Sequence, residues 1–184
     1  MTYVYLDCET TGLDPARHEI WEIAYAVDDG PIQSSAVWHE PPVVSPDVRA
    51  ALRVNGYLDR CRLIPQSDSE YWEDDLKKLL DGATLVGANP AFDARMLAAR
   101  WARQKRDTDP DPWHYRLLDI EAYAAGFLGW SEMRGLAGVA EALGVAAPDH
   151  TAAGDVHCVR ECWRAMRALH DGSPWRADLA AGAS

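Results

Sequence analysis

The residues best placed to do chemistry come early, in Asp7-Cys8-Glu9. Residues 2–7 are rich in Tyr and Val and read as a strand that ends at an aspartate. Side chains alternate faces along a strand, so Asp7 and Glu9 point the same way and Cys8 points opposite. Two carboxylates this close repel each other. Either one takes a proton or a cation lies between them. The plain structural reading is a solvated acidic strand end.

Two more pieces lie far along the chain. Asp93 falls in the first turn of a helix opened by Asn89-Pro90, just after the apolar run 84–87. A carboxylate there is favoured by the helix dipole, which makes a capping acid the simple explanation. Loops at the carboxyl ends of strands are also where α/β folds place their sites. The third piece is His150-Thr151-Ala152-Ala153-Gly154-Asp155. Five helical steps turn side chains about 140° apart, so both cannot share one helical face. They converge only if His150 precedes the helix and Asp155 sits in its first turns. Pro148 and Asp149 favour a helix start near Thr151.

These residues must be held by a fold, and the sequence outlines one. After the first strand, residues 19–27 and 32–39 read as two more, joined by the turn residues Asp28, Asp29, Gly30 and Pro31. Three strands with short links predict an antiparallel meander. Helical signals follow. Ser45-Pro46 starts a helix that Gly56 stops. Ser67-Asp68-Ser69-Glu70 is a capping box for a helix with Trp72, Leu76 and Leu79 on one face, ended by Gly82. Residues 84–87 predict a buried strand. Asn89 as N-cap and Pro90 as first helical residue open a helix to about Arg103. A Pro- and Asp-rich loop spans 106–116, a brief strand falls at 117–118, and helices follow over about 119–127 and 135–143. The last helix carries Ala152, Val156, Val159, Trp163, Met166 and His170 at three- and four-residue steps. The expected fold class is α/β, with one domain over residues 1–170 and a frayed tail over 171–184.

Composition limits what such a site would act on. The hydrophobic fraction of 48% and charged fraction of 26% are those of a soluble globular domain. Residues 1–12 lack a basic, apolar leader, and no run approaches the roughly 18 apolar residues of a membrane span. The expectation is a protein of the cytoplasm, with no membrane partner. Cys158 and Cys162, beside His157, offer too few ligands for zinc and read as core thiols. A net charge of −11 argues against tight electrostatic grip on duplex DNA, though less against an enzyme that takes one strand end into a pocket beside bound cations. Arg160, Arg164 and Arg167 form a row on the last helix, and Arg95, Arg100, Arg103, Lys105 and Arg106 enrich another stretch. Each reads as a solvated helix face, with phosphate tracking as the alternative.

Taken together, the three acidic pieces resemble a known family. Asp7-Cys8-Glu9-Thr10-Thr11-Gly12-Leu13 resembles the first motif of the DEDDh 3′→5′ exonucleases. Residues 86–93, ending in Asn89-Pro90-Ala91-Phe92-Asp93, are similar to the second motif, and His150 with Asp155 to the third. Glu22 and Asp119 also fall where family members often carry acids. The resemblance covers residues 3 to about 167. One departure is Ala88, where relatives often carry histidine, and it bears on substrate preference rather than on the core site.

The resemblance implies a ribonuclease-H-like mixed sheet and release of nucleoside 5′-monophosphates from DNA or RNA 3′ ends. It implies two Mg²⁺ ions, with Mn²⁺ able to substitute, about 3.5–4 Å apart. Asp7 would bridge them, Glu9 and Asp155 would serve one ion, and Asp93 the other. His150, of a residue type with an ordinary pKa near ~6.5, would deprotonate the attacking water. Thr10, Thr11 and Leu13 would lie beside the terminal nucleotide, with Asn89 and Phe92 lining the pocket. A proofreading role would require a separate polymerase. The alternative is a non-catalytic module on the same fold that binds nucleic acid or protein. A Ca²⁺-binding domain is disfavoured, since no DxDxDG-type loop is present.

Overall fold

The computed structural model of the chain describes residues 2–42, 45–61, 72–104 and 111–172. In chain order run β1 (Tyr3–Thr10), β2 (Ile20–Val27), β3 (Gln33–Ala36), α1 (Pro46–Val54), α2 (Tyr57–Arg60) and α3 (Trp72–Leu80). Then come β4 (Thr84–Gly87), α4 (Pro90–Arg103), β5 (Leu118–Asp119), α5 (Ile120–Phe127), α6 (Leu136–Leu143) and α7 (Ala152–Asp171). The strands form one five-stranded sheet in the order β3-β2-β1-β4-β5. β1, β2 and β3 pair antiparallel, and β4 and β5 then add in parallel on the other side of β1. The expected α/β class and mixed sheet are both present.

β1 is central because it can bury both faces. Val4, Leu6 and Cys8 pack with Leu76 and Leu80 of α3 and Met96, Leu97 and Trp101 of α4. On the opposite face Tyr5 packs with Val86, Ala24 and Ala26 and with apolar residues of α5, α6 and α7, among them Ile120, Val139, Val156 and Met166. Helices thus cover both sides. β1 runs three residues past its expected end, so Asp7 and Glu9 lie within the paired strand opposite Ala24 and Glu22.

Several local expectations shift. The capping box at 67–70 lies outside the described residues, as do Lys105, Arg106 and the tail from 173. On α3 the buried stripe is Glu73, Leu76 and Leu80, while Leu79 is 41% exposed. The stripe is rotated because its first member is a charged residue with a buried partner. Glu73 Oε1 accepts from Arg100 Nη2 at 2.7 Å and Nε at 3.0 Å, and from Gln104 Nε2 at 3.2 Å.

That pair also fastens the loop between β1 and β2. Arg100 donates to the Trp38 carbonyl and lies 3.7 Å from Glu19. Arg103 pairs with Glu19 at 3.1 Å and donates to the carbonyls of Pro15 and His18. These arginines hold protein carbonyls and carboxylates rather than a solvated face. On α7, Arg160 donates to the Gly30 carbonyl, Arg164 pairs with Asp29 and Glu161, and Arg167 lies over the Trp163 ring. That row clamps the β2–β3 turn.

Removing one partner of a buried ion pair strands the other. Glu73→Ala is expected to cost about 3–5 kcal/mol in urea unfolding, with Glu73→Ala/Arg100→Met recovering much of it. A loss below about 1 kcal/mol, the usual worth of a surface pair, would contradict the role given to it.

Candidate active site

The site lies where β1 meets the first turns of α4 and α7. Asp7 and Glu9 project from the α7 face of β1, and both are half-buried. Asp155 reaches them because α7 starts where its sequence suggests. Thr151 is the N-cap, with Oγ1 accepting from the Gly154 amide at 2.9 Å. Its own N–H and hydroxyl donate to Asp149. A Cβ on Gly154 would run into the Asp149 carboxylate, so a larger residue there would have to displace the side chain that receives the Thr151 N–H and hydroxyl. The result brings one carboxylate oxygen from each of Asp7, Glu9 and Asp155 within 4.8 Å of one another.

Asp93 stands beside this trio rather than inside it. It is 3% exposed, and its Oδ1 accepts from the Cys8 amide at 3.0 Å, which fixes it to the backbone between Asp7 and Glu9. The residue read as its N-cap, Asn89, occupies that position without capping. Asn89 is left-handed, with φ 57°, and its side chain bonds no helix amide. The chain reverses sharply from β4 into α4, and asparagine tolerates that conformation.

Concentrating four acids here raises their proton affinity. Burial is the largest cause at each. Asp7 sits well above the usual carboxylate range, lifted further by Asp93, Glu9 and Asp155. Glu9 is pushed up to about 8, with Asp155 and Glu22 adding to burial while Arg60 and Asn55 oppose it. Asp93 is raised to about 7 against the pull of the Cys8 amide. Asp155 is raised too, less the hydrogen bond from His150. Such a cluster favours protons or cations over bare charge. Its all-oxygen donors suit Mg²⁺ or Mn²⁺ better than softer metals.

His150 is tied to the cluster through its backbone. Its amide donates to Asp155 Oδ1 at 3.2 Å, its φ is 59°, and its residue is exposed. Two neighbours of the site had no signal in the sequence beyond the turn-forming pair Asn55-Gly56. Asn55 is buried and donates to the Thr10 carbonyl at 2.9 Å. Arg60 pairs at 2.5 Å with Glu22, which is 3% exposed and lies directly across from Glu9.

The residues expected against substrate divide. The Thr10 hydroxyl donates to the Gly12 carbonyl, and Thr11 Oγ1 accepts from the Glu19 amide; both residues are buried and hold the turn. Leu13 is 78% exposed, which removes the core explanation for it. Asn89 is exposed, and Phe92 is half-buried against the α4-side core.

The exonuclease family typified by RNase T matches residues 4–161. The chain belongs to that family. Among solved structures, product-bound exonuclease I superposes with a TM-score of 0.69 at 17% identity, over 91% of this chain and 43% of that one. E. coli exonuclease I in complex with a dT13 oligonucleotide gives 0.66 at 16% identity, over 91% and 41%. Apo exonuclease I gives 0.66 at 17% identity, over 97% and 46%. The chain thus spans less than half the length of these structures. No curated protein sequence matches.

The raised carboxyl groups set a stability profile. Glu9 and Asp93 titrate higher folded than unfolded, so the folded state holds more protons and stability falls with rising pH. With EDTA present, the melting temperature is expected to drop between about pH 4.5 and about pH 8, following the folded values near 7 and 8. Saturating Mg²⁺ should flatten the drop. A profile in EDTA that rises over this window would contradict the burial of these acids.

Proposed function

We propose that the chain is a divalent-metal-dependent 3′→5′ exonuclease that releases nucleoside 5′-monophosphates from single-stranded or frayed DNA or RNA ends. The observation that carries this reading is the convergence of Asp7, Glu9 and Asp155 within 4.8 Å, with Asp93 fixed beside them. Family membership supports it, and so does the likeness to exonuclease I, whose structures include a single-stranded oligonucleotide complex. No helix among the described residues is long and apolar enough to cross a membrane.

Asp7, Glu9 and Asp155 would hold one Mg²⁺, and Asp7 with Asp93 a second. When bound, the ions offset the carboxylate charge and polarise the scissile phosphodiester. His150 takes a proton from the attacking water as its oxygen bonds to phosphorus. The P–O3′ bond breaks, and the departing 3′ oxygen takes up a proton. Leu13, exposed on the loop after β1, offers an apolar face to the terminal base. The Thr10–Leu13 backbone would lie along the same approach, with the exposed Asn89 and the half-buried Phe92 as further residues that could line it.

The reading is tested with 5′-labelled single-stranded DNA, duplex DNA and RNA, each with Mg²⁺ or with EDTA. A ladder shortening from the 3′ end that EDTA abolishes is expected. Intact substrate under saturating Mg²⁺ would favour the binding-module alternative. His150→Ala should lower the rate at least about a hundredfold, the usual size of a general-base contribution. Asp7→Asn should be slower still, because it weakens both ion sites. Near-normal turnover in His150→Ala would remove that residue from the mechanism.

A further inference from the structure

We propose that Arg60 is a positioning residue for the reaction, one that holds the His150 loop to the acid cluster. The inference rests on the exonuclease reading above. Arg60 closes α2, and its guanidinium makes contacts in several directions at once. Nη2 pairs with Glu22 on β2 at 2.5 Å. Nη1 donates to the Asn55 carbonyl at 2.9 Å and to the His150 carbonyl at 3.1 Å. Its flat face lies 5.2 Å from the centre of the Trp21 ring. Glu22 and Trp21 are fixed in the sheet core, at 3% and 0% exposure. Arg60 therefore ties a rigid base to an exposed loop.

The loop needs such a tie. His150 precedes α7 and so lacks helical hydrogen bonds of its own, and it is held in the left-handed region at φ 59°. For a residue with a Cβ this conformation persists only where the surroundings impose it. Its amide is held by Asp155 and its carbonyl by Arg60, one contact on each side of the strained residue. Without the Arg60 contact the peptide after His150 is held only from within its own loop, by the Thr151 N–H donating to the exposed Asp149, and the loop as a whole can turn and carry the imidazole away from the attacking water. Lysine cannot replace this role. It keeps the charge beside Glu22 but lacks the planar fork that reaches Glu22 and two carbonyls together.

Arg60 also lies near Glu9 and opposes its protonation, so a loss of activity alone would not reveal its route. A double-mutant cycle does. Arg60→Lys is compared with wild type and placed on the His150→Ala background. A second variant, Arg60→Met/Glu22→Gln, removes the buried pair as a whole and leaves no charge stranded. Folding is checked by thermal melts, and kcat and KM are measured on 5′-labelled single-stranded DNA with Mg²⁺. In the otherwise wild-type chain both variants should lower kcat at least about tenfold, a loss within the range for a misplaced catalytic group, with KM within about twofold. On the His150→Ala background neither should change kcat by more than about twofold. Losses that multiply across the two backgrounds would overturn the proposal, as would wild-type kcat in Arg60→Lys. A wild-type chain inactive with Mg²⁺ would sink the exonuclease reading itself.

Discussion

Mutual repulsion among carboxylates in a poorly hydrated space governs this structure. Asp7, Glu9, Asp93 and Asp155 are drawn together from β1, α4 and α7, and Glu22 lies across the strand from Glu9. Folding alone gains nothing from such crowding, since burial and like charge both oppose ionisation. The surroundings limit the cost only in part. The Cys8 amide serves Asp93, the His150 amide serves Asp155, and Arg60 serves Glu22. At Asp7 burial and the neighbouring acids all oppose ionisation. On the exonuclease reading, bound cations would offset this charge, and the rest of the molecule reads as the apparatus that holds the acids in register.

The apparatus has two parts that work on opposite faces of β1. On one, α3 and α4 pack on Val4, Leu6 and Cys8, the buried Glu73–Arg100 pair joins α3 to α4, and Arg100 and Arg103 tie the far end of α4 to the loop after β1. That fixes Asp93 and the exposed Leu13 relative to Glu9. On the other face, α7 lies along Tyr5, Ala24 and Ala26, with its first turn at the acids and its arginines gripping the β2–β3 turn. A helix anchored along its middle by Arg160 and Arg164 thereby fixes where its first turn, and Asp155, can lie. The chain's negative charge is compatible with this arrangement, because the basic side chains on α7 and at the end of α4 are spent on architecture.

Much of this was legible in the sequence because the relevant signals are local. Pro90 marks one helix start, and Pro148 with Asp149 marks another near Thr151, and each places a site acid, Asp93 or Asp155, in the first turns of its helix. The meander followed from three strands with short links, and the mixed sheet from the strand–helix alternation after them. What was not legible depends on contacts between distant segments. Glu73 carries no local sign of burial, because its partner Arg100 lies on another helix, and the buried stripe therefore runs through Leu80 rather than the expected Leu79. Asn89 had the type and place of a cap but serves as a left-handed hinge. Asn55 and Arg60 carry no periodic or motif signal, since their importance comes from Thr10, Glu22 and His150, each far away along the chain.

The central claim is that these acids exist to hold divalent cations. It is tested most directly by counting them, through titration of the metal-free chain with Mn²⁺ followed by electron paramagnetic resonance. The account predicts saturation near two ions per chain, as a two-metal site requires, and loss of tight binding in Asp7→Asn. No saturable Mn²⁺ uptake by the wild-type chain, or an unchanged count after Asp7→Asn, would contradict it.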